Sequence, residues 1–335
     1  MARLWEGEDR ERLRRSGNSS YYSKEVNIKR FIKKTNFKQN MTICIGLIPN
    51  EKTVMLIQDS EISYRAVGLT QDIANKIKRI SDDAVMGIIG NPFAANEMFA
   101  LVPSKNYSQW RELKETVEEA YHAVREDKLL KSVLRKYGFR NIREVTQPPK
   151  ETAIDSTVRE EILRTAQDQS NELGINLMLA SNIERPQLYN VVFPGVGWLE
   201  SQVKMYSVNG SGTIMALDKM GEELARYKWQ PQLSIDEGID VLLRAGKASE
   251  KHVGVGGPFE IAYVTKGEDG KNRVINPDPK KINMVIYLFP YGVDERIMME
   301  AITRMRDDQV TAAELADYIK SNTQVGIEFD HYFKL

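Results

Sequence analysis

Residues 42–57 read TICIGLIPNEKTVMLI, and this stretch decides the fold. Thr42–Ile48 is an apolar, β-branched run of strand length. Pro49–Lys52 has the composition of a turn, and Thr53–Ile57 is a second apolar run. Two such runs joined by so short a polar link predict a β-hairpin. Neither run alternates apolar with polar residues, so each strand is expected to be covered on both faces. Ala84–Ile89 (AVMGII), closed by Gly90-Asn91, predicts a third strand of the same kind.

Upstream of the hairpin the character changes sharply. Residues 1–40 hold 11 Lys/Arg against 5 Asp/Glu, whereas the whole chain of 335 residues has zero net charge. A basic arm is compatible with nucleic-acid binding. No aromatic–basic interleaving of the kind that binds single strands follows later in the chain, so nucleic acid is disfavoured as a partner. Residues 1–41 read instead as a basic leader, either a propeptide or a stretch upstream of the true start.

Downstream, helical spacing predicts helices over 92–102, 109–136, 155–172, 213–228, 234–251, 294–306 and 311–321. Strands are predicted at Ile175–Ala180, Leu188–Phe193, Val203–Val208, Phe259–Thr265, Arg273–Ile275 and Ile282–Phe289. Ser234 with Glu237, and Thr311 with Glu314, have capping-box spacing, in which hydroxyl and carboxylate each satisfy a backbone N–H at the helix start. The order of strands, helices, strands, helices and strands predicts an α+β fold of mainly antiparallel sheets covered by helices. No linker interrupts residues 42–335, which read as one domain.

Composition excludes several classes. Hydrophobic residues make up 41% of the chain, an ordinary share for a globular core. No window approaches the ~18 consecutive apolar residues of a membrane span, and the N-terminus lacks the apolar core of a secretory signal. A single cysteine, Cys44, cannot pair internally and fits a reducing cytoplasm. The three histidines, His122, His252 and His331, do not pair at zinc-ligand spacing, which argues against a structural zinc site.

Five segments bear on chemistry: TICIG at 42–46, QDSEIS at 58–63, NKIKRI at 75–80 leading into GIIGN at 87–91, NGSG at 209–212, and VGVGG at 253–257. Each is weak alone. Their order, spacing and strand–helix context resemble those of proteasome β-type subunits, members of the N-terminal-nucleophile (Ntn) hydrolases, over about residues 42–265. The resemblance implies a four-layer αββα sandwich, with an insertion at about 137–172 and a C-terminal extension from about 268. It implies a threonine-type endopeptidase that needs no cofactor and acts on polypeptide within a homo-oligomeric or proteasome-like assembly, with an ATPase or regulator as a possible partner.

Such chemistry needs a hydroxyl whose proton is taken by a neighbouring base. In the family that base is the α-amino group of the same residue, and a free amine of pKa about 8 suits the task near neutral pH. Thr42 stands at the nucleophile position, four residues before Gly46. Met41 precedes it where the family usually has Gly at the self-cleaved junction. Two routes would expose Thr42: autocatalytic removal of the leader, or initiation at Met41 followed by an aminopeptidase.

By the same resemblance Lys76 places a positive charge beside Thr42 and Asp59 holds Lys76 in place. Gly90 offers the oxyanion-hole N–H, and Ser211 binds the N-terminal amine. The residue alternatives are a strand start for Thr42, a turn cap for Asp59, a plain turn glycine before Pro92 for Gly90, a solvated charge for Lys76 and a helix N-cap for Ser211. Ile62, Ala74, Ile88 and Pro92 would line an apolar substrate pocket with Lys78 nearby, and Ser63 would align the substrate backbone. His252 and Val255 depart from the family's usual Asp and Ser ahead of the final Gly-Gly. A catalytically inactive scaffold subunit, or an amidase acting on small amides, are the alternative functions.

Overall fold

The structure is a computed structural model that describes residues 42–64, 69–72, 76–148, 154–192, 199–203, 205–228, 232–252, 255–325, 329–330 and 333. The expected leader, residues 1–41, and Ala74 lie outside the described residues.

The hairpin forms as predicted, one or two residues longer in each arm. β1 (Ile43–Asn50) pairs antiparallel with β2 (Thr53–Asp59). Their turn shrinks to Glu51-Lys52 because the Asn50 side chain accepts the Lys52 amide at 3.0 Å, a local bond of the kind that favours Asn in turns. A short ribbon follows, β3 (Glu61–Tyr64) against β4 (Leu69–Asp72). β5 (Ile77–Ser81) then pairs with β6 (Ala84–Gly90).

The chain crosses next into helices. α1 (Pro92–Leu101) opens with proline at its first position, and the Asn91 side chain caps two amides. α2 (Trp110–Ser132) buries Leu113, Val117, Ala120, Tyr121 and Val124 along one stripe. The short α3 (Ile142–Thr146) and the longer α4 (Ser156–Leu173) occupy the region read as an insertion. They share a small core of Val133, Leu134, Val145 and Ile162 with the end of α2.

Strands resume with β7 (Ile175–Ser181), β8 (Gln187–Val192), β9 (Leu199–Val203) and β10 (Tyr206–Gly210). The single strand expected at Val203–Val208 is divided here. Its start belongs to β9 in one sheet and its end to β10 in the other. α5 (Thr213–Arg226) and α6 (Ile235–Ser249) follow, the latter with its predicted capping box in place. β11 (Phe259–Lys266) and β12 (Asn272–Ile275) complete the strands.

The strand expected at Ile282–Phe289 is instead a helix, α7 (Pro279–Tyr287). Asp278 caps it through the Lys280 amide and Pro279 sits at its first turn, a helix-start signal that outweighs the β-branched run. Ile282, Val285 and Ile286 recur at helical spacing and are buried. α8 (Glu295–Arg306) and α9 (Ala312–Asn322) close the chain, α9 with the predicted Thr311–Glu314 capping box.

Two five-stranded antiparallel sheets result, in the orders β10-β1-β2-β11-β12 and β5-β6-β7-β8-β9. The class is α+β. One apolar cluster joins inward residues of both sheets, among them Cys44, Leu56, Val85, Met178 and Ala262. Another joins the first sheet to α5, α6 and the C-terminal helices, and a third joins the second sheet to α1 and α2. Coverage on both faces explains the unbroken apolar runs of β1, β2 and β6. The C-terminal extension supplies Met298, Ile302, Leu315 and Phe329 to the first sheet's core. Among the described residues no helix is long and apolar enough to cross a membrane.

The sheets approach closely where Gly87 of β6 faces β1 and β2. A Cβ there would overlap Cys44 Sγ and come within 2.9 Å of Gln58 Oε1. Gly87→Ala should destabilise the protein by about 1–3 kcal/mol through overpacking, read as a lower denaturant midpoint. A midpoint equal to wild type would show that the sheets can separate locally without cost.

Candidate functional site

The hairpin brings the first site residues together. Antiparallel register places Cys44 opposite Gln58, so Asp59 at the end of β2 lies beside the start of β1. Its carboxylate accepts the Ile43 amide at 2.9 Å and the Thr42 hydroxyl. Lys76, just ahead of β5, donates from Nζ to Thr42 Oγ1 at 3.1 Å and lies 3.6 Å from Asp59 Oδ1. The Thr42 hydroxyl is therefore held between an anion and a cation. Thr42 and Lys76 are each 4% exposed and Asp59 is fully buried.

β10 supplies the next residue. Its last residue, Gly210, pairs with Ile43 at a φ of 120°. A Cβ at Gly210 would overlap the Thr42 carbonyl, so the approach requires glycine. The following Ser211 donates its amide to that carbonyl at 2.9 Å. Helix capping does not explain Ser211, because Gly212 is the cap of α5 and makes no side-chain cap bond.

The loop after α6 approaches from another side. Gly256 directs its amide toward the Asp59 carboxylate. Val255 is buried, and a Cβ on Gly212 would come within 3.1 Å of both Val255 and Ile43. An apolar side chain thus fills the position where the resemblance implies a hydroxyl. His252 closes the turn, donating its amide to the Ser249 carbonyl at 2.9 Å and accepting from Val255 at 3.1 Å. Among the described residues its buried Nδ1 has no hydrogen-bond partner.

The remaining predicted residues lie on neighbouring elements. Gly90 ends β6 opposite Ile175, with φ of 100°, where a Cβ would overlap the Gly174 carbonyl. Pro92 is the first residue of α1. Ile62 and Ser63 stand on the β3–β4 ribbon opposite Gln71 and Thr70. Ile88 is not brought to an open surface: it is 3% exposed and packs with Ala94, Ala95 and Met98 beneath α1. Lys78 lies on β5 opposite Met86. Among the described residues no three His, Cys, Asp or Glu converge as a metal-ligand set.

Electrostatics follow from burial. The Asp59 pKa is raised above its ordinary value, chiefly by loss of water. The Lys76 ammonium opposes that rise most strongly, followed by hydrogen bonds from Thr42, Ile43 and Gly256. Burial also raises the Cys44 thiol far above its ordinary value, aided by the Asp59 charge and opposed by Lys76. Cys44 is an inert neighbour rather than a second nucleophile.

Sequence reasoning missed two polar residues beside this cluster. Gln58 is fully buried and Glu260 is 8% exposed. Each interrupts an otherwise apolar strand, in TVMLIQD and FEIAYV, and that interruption was the available signal.

No family model and no curated protein matches the chain.

Because burial raises the Asp59 pKa above its unfolded value, the stability tied to this group is fully present below the ordinary carboxylate range and is lost as pH rises through the raised value. Lys76→Met removes the strongest opposing effect and should raise this pKa further. The melting-temperature deficit of the variant should therefore widen from about pH 4 to about pH 8. A deficit constant over that range would show the pair to be uncoupled.

Proposed function

We propose that this chain is a threonine-type Ntn hydrolase that cleaves peptide bonds, built on a four-layer αββα sandwich and active once Thr42 is the first residue. The observation that supports this best is the Thr42 hydroxyl clasped between Lys76 Nζ and the Asp59 carboxylate. A structural threonine at a strand start has no need of a buried ion pair, and burying two charges costs stability unless they are well compensated.

In the proposed reaction the freed Thr42 amine, directly or through a water, takes the proton from Oγ1 as the oxygen attacks the substrate carbonyl. Lys76 lowers the cost of negative charge on Oγ1, and Asp59 keeps Lys76 beside it. The tetrahedral oxyanion meets backbone N–H donors at the Gly90 end of β6. Collapse breaks the C–N bond, the leaving amine receives the proton, and an ester to Thr42 remains. Water, deprotonated by the same amine, then hydrolyses the ester. The substrate is polypeptide, and oligomeric enclosure is the expected working state.

A non-catalytic scaffold subunit is the second reading. It is favoured by Val255, which offers no hydrogen bond to the amine where a serine would.

Intact-mass and N-terminal analysis, combined with a threonine-directed β-lactone, separates the two. The expected result is a chain beginning at Thr42 with the label on that residue. Thr42→Ala should stay folded, with a melting temperature lowered by loss of the hydroxyl's bond to buried Asp59, and lose turnover by on the order of 10³-fold or more. An unlabelled chain that retains residues ahead of Thr42 would decide for the scaffold, and peptide turnover unaffected by Thr42→Ala would remove the assignment.

A further inference from the structure

We infer that Gln58 and Glu260 are positioning residues, a polar clamp between the two sheets that fixes the backbone from which Lys76 reaches Thr42. The two are register partners on β2 and β11, so their side chains leave the same face of the first sheet. Both cross toward the second sheet. Glu260 Oε2 accepts the Ile77 amide at 3.3 Å. Gln58 Oε1 accepts the Ile88 amide at 3.1 Å, and its Nε2 donates to the Ile88 carbonyl. The Ile88 amide also donates to the Lys76 carbonyl at 3.3 Å.

Both polar atoms of the peptide group joining Lys76 to Ile77 are therefore held. Its N–H goes to Glu260. Its carbonyl goes to Ile88, whose own N–H and carbonyl are gripped by Gln58. A lysine side chain has four rotatable bonds, so the place of its ammonium is only as well defined as the backbone it starts from. The clamp supplies that definition from β2 and β11, and β2 also ends in Asp59. One strand thus sets the carboxylate directly and, through Gln58, helps to set the ammonium.

Stability alone does not account for these residues. The surrounding inter-sheet cluster is apolar, with Cys44, Val54, Leu56, Val85, Ile89 and Ala262. Burying a carboxylate and an amide there costs free energy that an apolar pair of similar volume would avoid. The two polar side chains stand where β5 and β6 pass the site.

The clamp rests on the functional reading only in that Lys76 serves Thr42, and its test does not need turnover. In the full chain, ¹³C-NMR titration of the Asp59 carboxyl reports how near the Lys76 charge is held. Gln58→Met leaves the charge unchanged and removes the grip. Glu260→Asp keeps the charge but is one methylene too short to reach the Ile77 amide. Both should raise the Asp59 pKa. Glu260→Gln keeps an acceptor for the amide and loses the charge, so it should leave that pKa unchanged or lower it.

Where wild type turns over peptide, the first two variants should lose kcat by about 10-fold or more at little-changed KM, and Glu260→Gln should restore it. If Gln58→Met fails to fold, Glu260→Asp against Glu260→Gln decides the question. Folded Gln58→Met and Glu260→Asp proteins with wild-type Asp59 titration would overturn the clamp. An inactive wild type would count against the functional reading alone, with the titration still deciding the clamp.

Discussion

A carboxylate with no exposed surface needs compensation for the water it has lost, and the beginning of this fold is organised around that need. Asp59 receives an amide from the adjacent strand, a hydroxyl from the residue before that strand, and an ammonium from the approach to β5. Two segments, the start of β1 and the approach to β5, must meet at one carboxylate oxygen at the end of β2. Their meeting defines where β1 begins, how β2 ends, and how close the second sheet's first strand comes to the first sheet.

The apolar layers make such a meeting affordable. One apolar cluster draws residues from both sheets, and two larger ones join strands to helices. The apolar, buried side chains between the sheets weaken the screening of charges and strengthen their mutual attraction. Glycine at positions 87 and 210 lets backbone and side chains come close enough for the polar groups to find one another. Packing and electrostatics are thus coupled at this end of the molecule, where a gain in side-chain volume would be felt by the charges.

Much of the fold was legible because unbroken apolar runs such as AVMGII and short polar turns point to doubly covered strands. Order and spacing singled out Thr42, Asp59, Lys76 and Ser211; contacts bring the side chains of the first three together, whereas Ser211 meets Thr42 through its backbone amide. The region around Ile282 was misread because β-branched residues obscured a helix that Asp278 and Pro279 announce. Local composition cannot tell which sheet a strand joins, so one run was read across the boundary between β9 and β10. Ile88 was assigned to a pocket by position, yet alternation along β6 turns its side chain into the helix-side core. The roles of Gln58 and Glu260 depend on contacts about 30 and 183 positions away along the chain, a distance over which local patterns are silent.

Cys44 adds a practical consequence. Its sulfur is shut between the sheets, against Met178 at 3.9 Å, and the thiolate form is strongly disfavoured there. The thiolate is the form that attacks an alkylating reagent, so modification requires the interior to open first. The chain therefore contains its own tracer for separation of the two β layers: under slow-labelling conditions, the rate of sulfur capture measures how often that seam parts, without any added fluorophore or engineered probe.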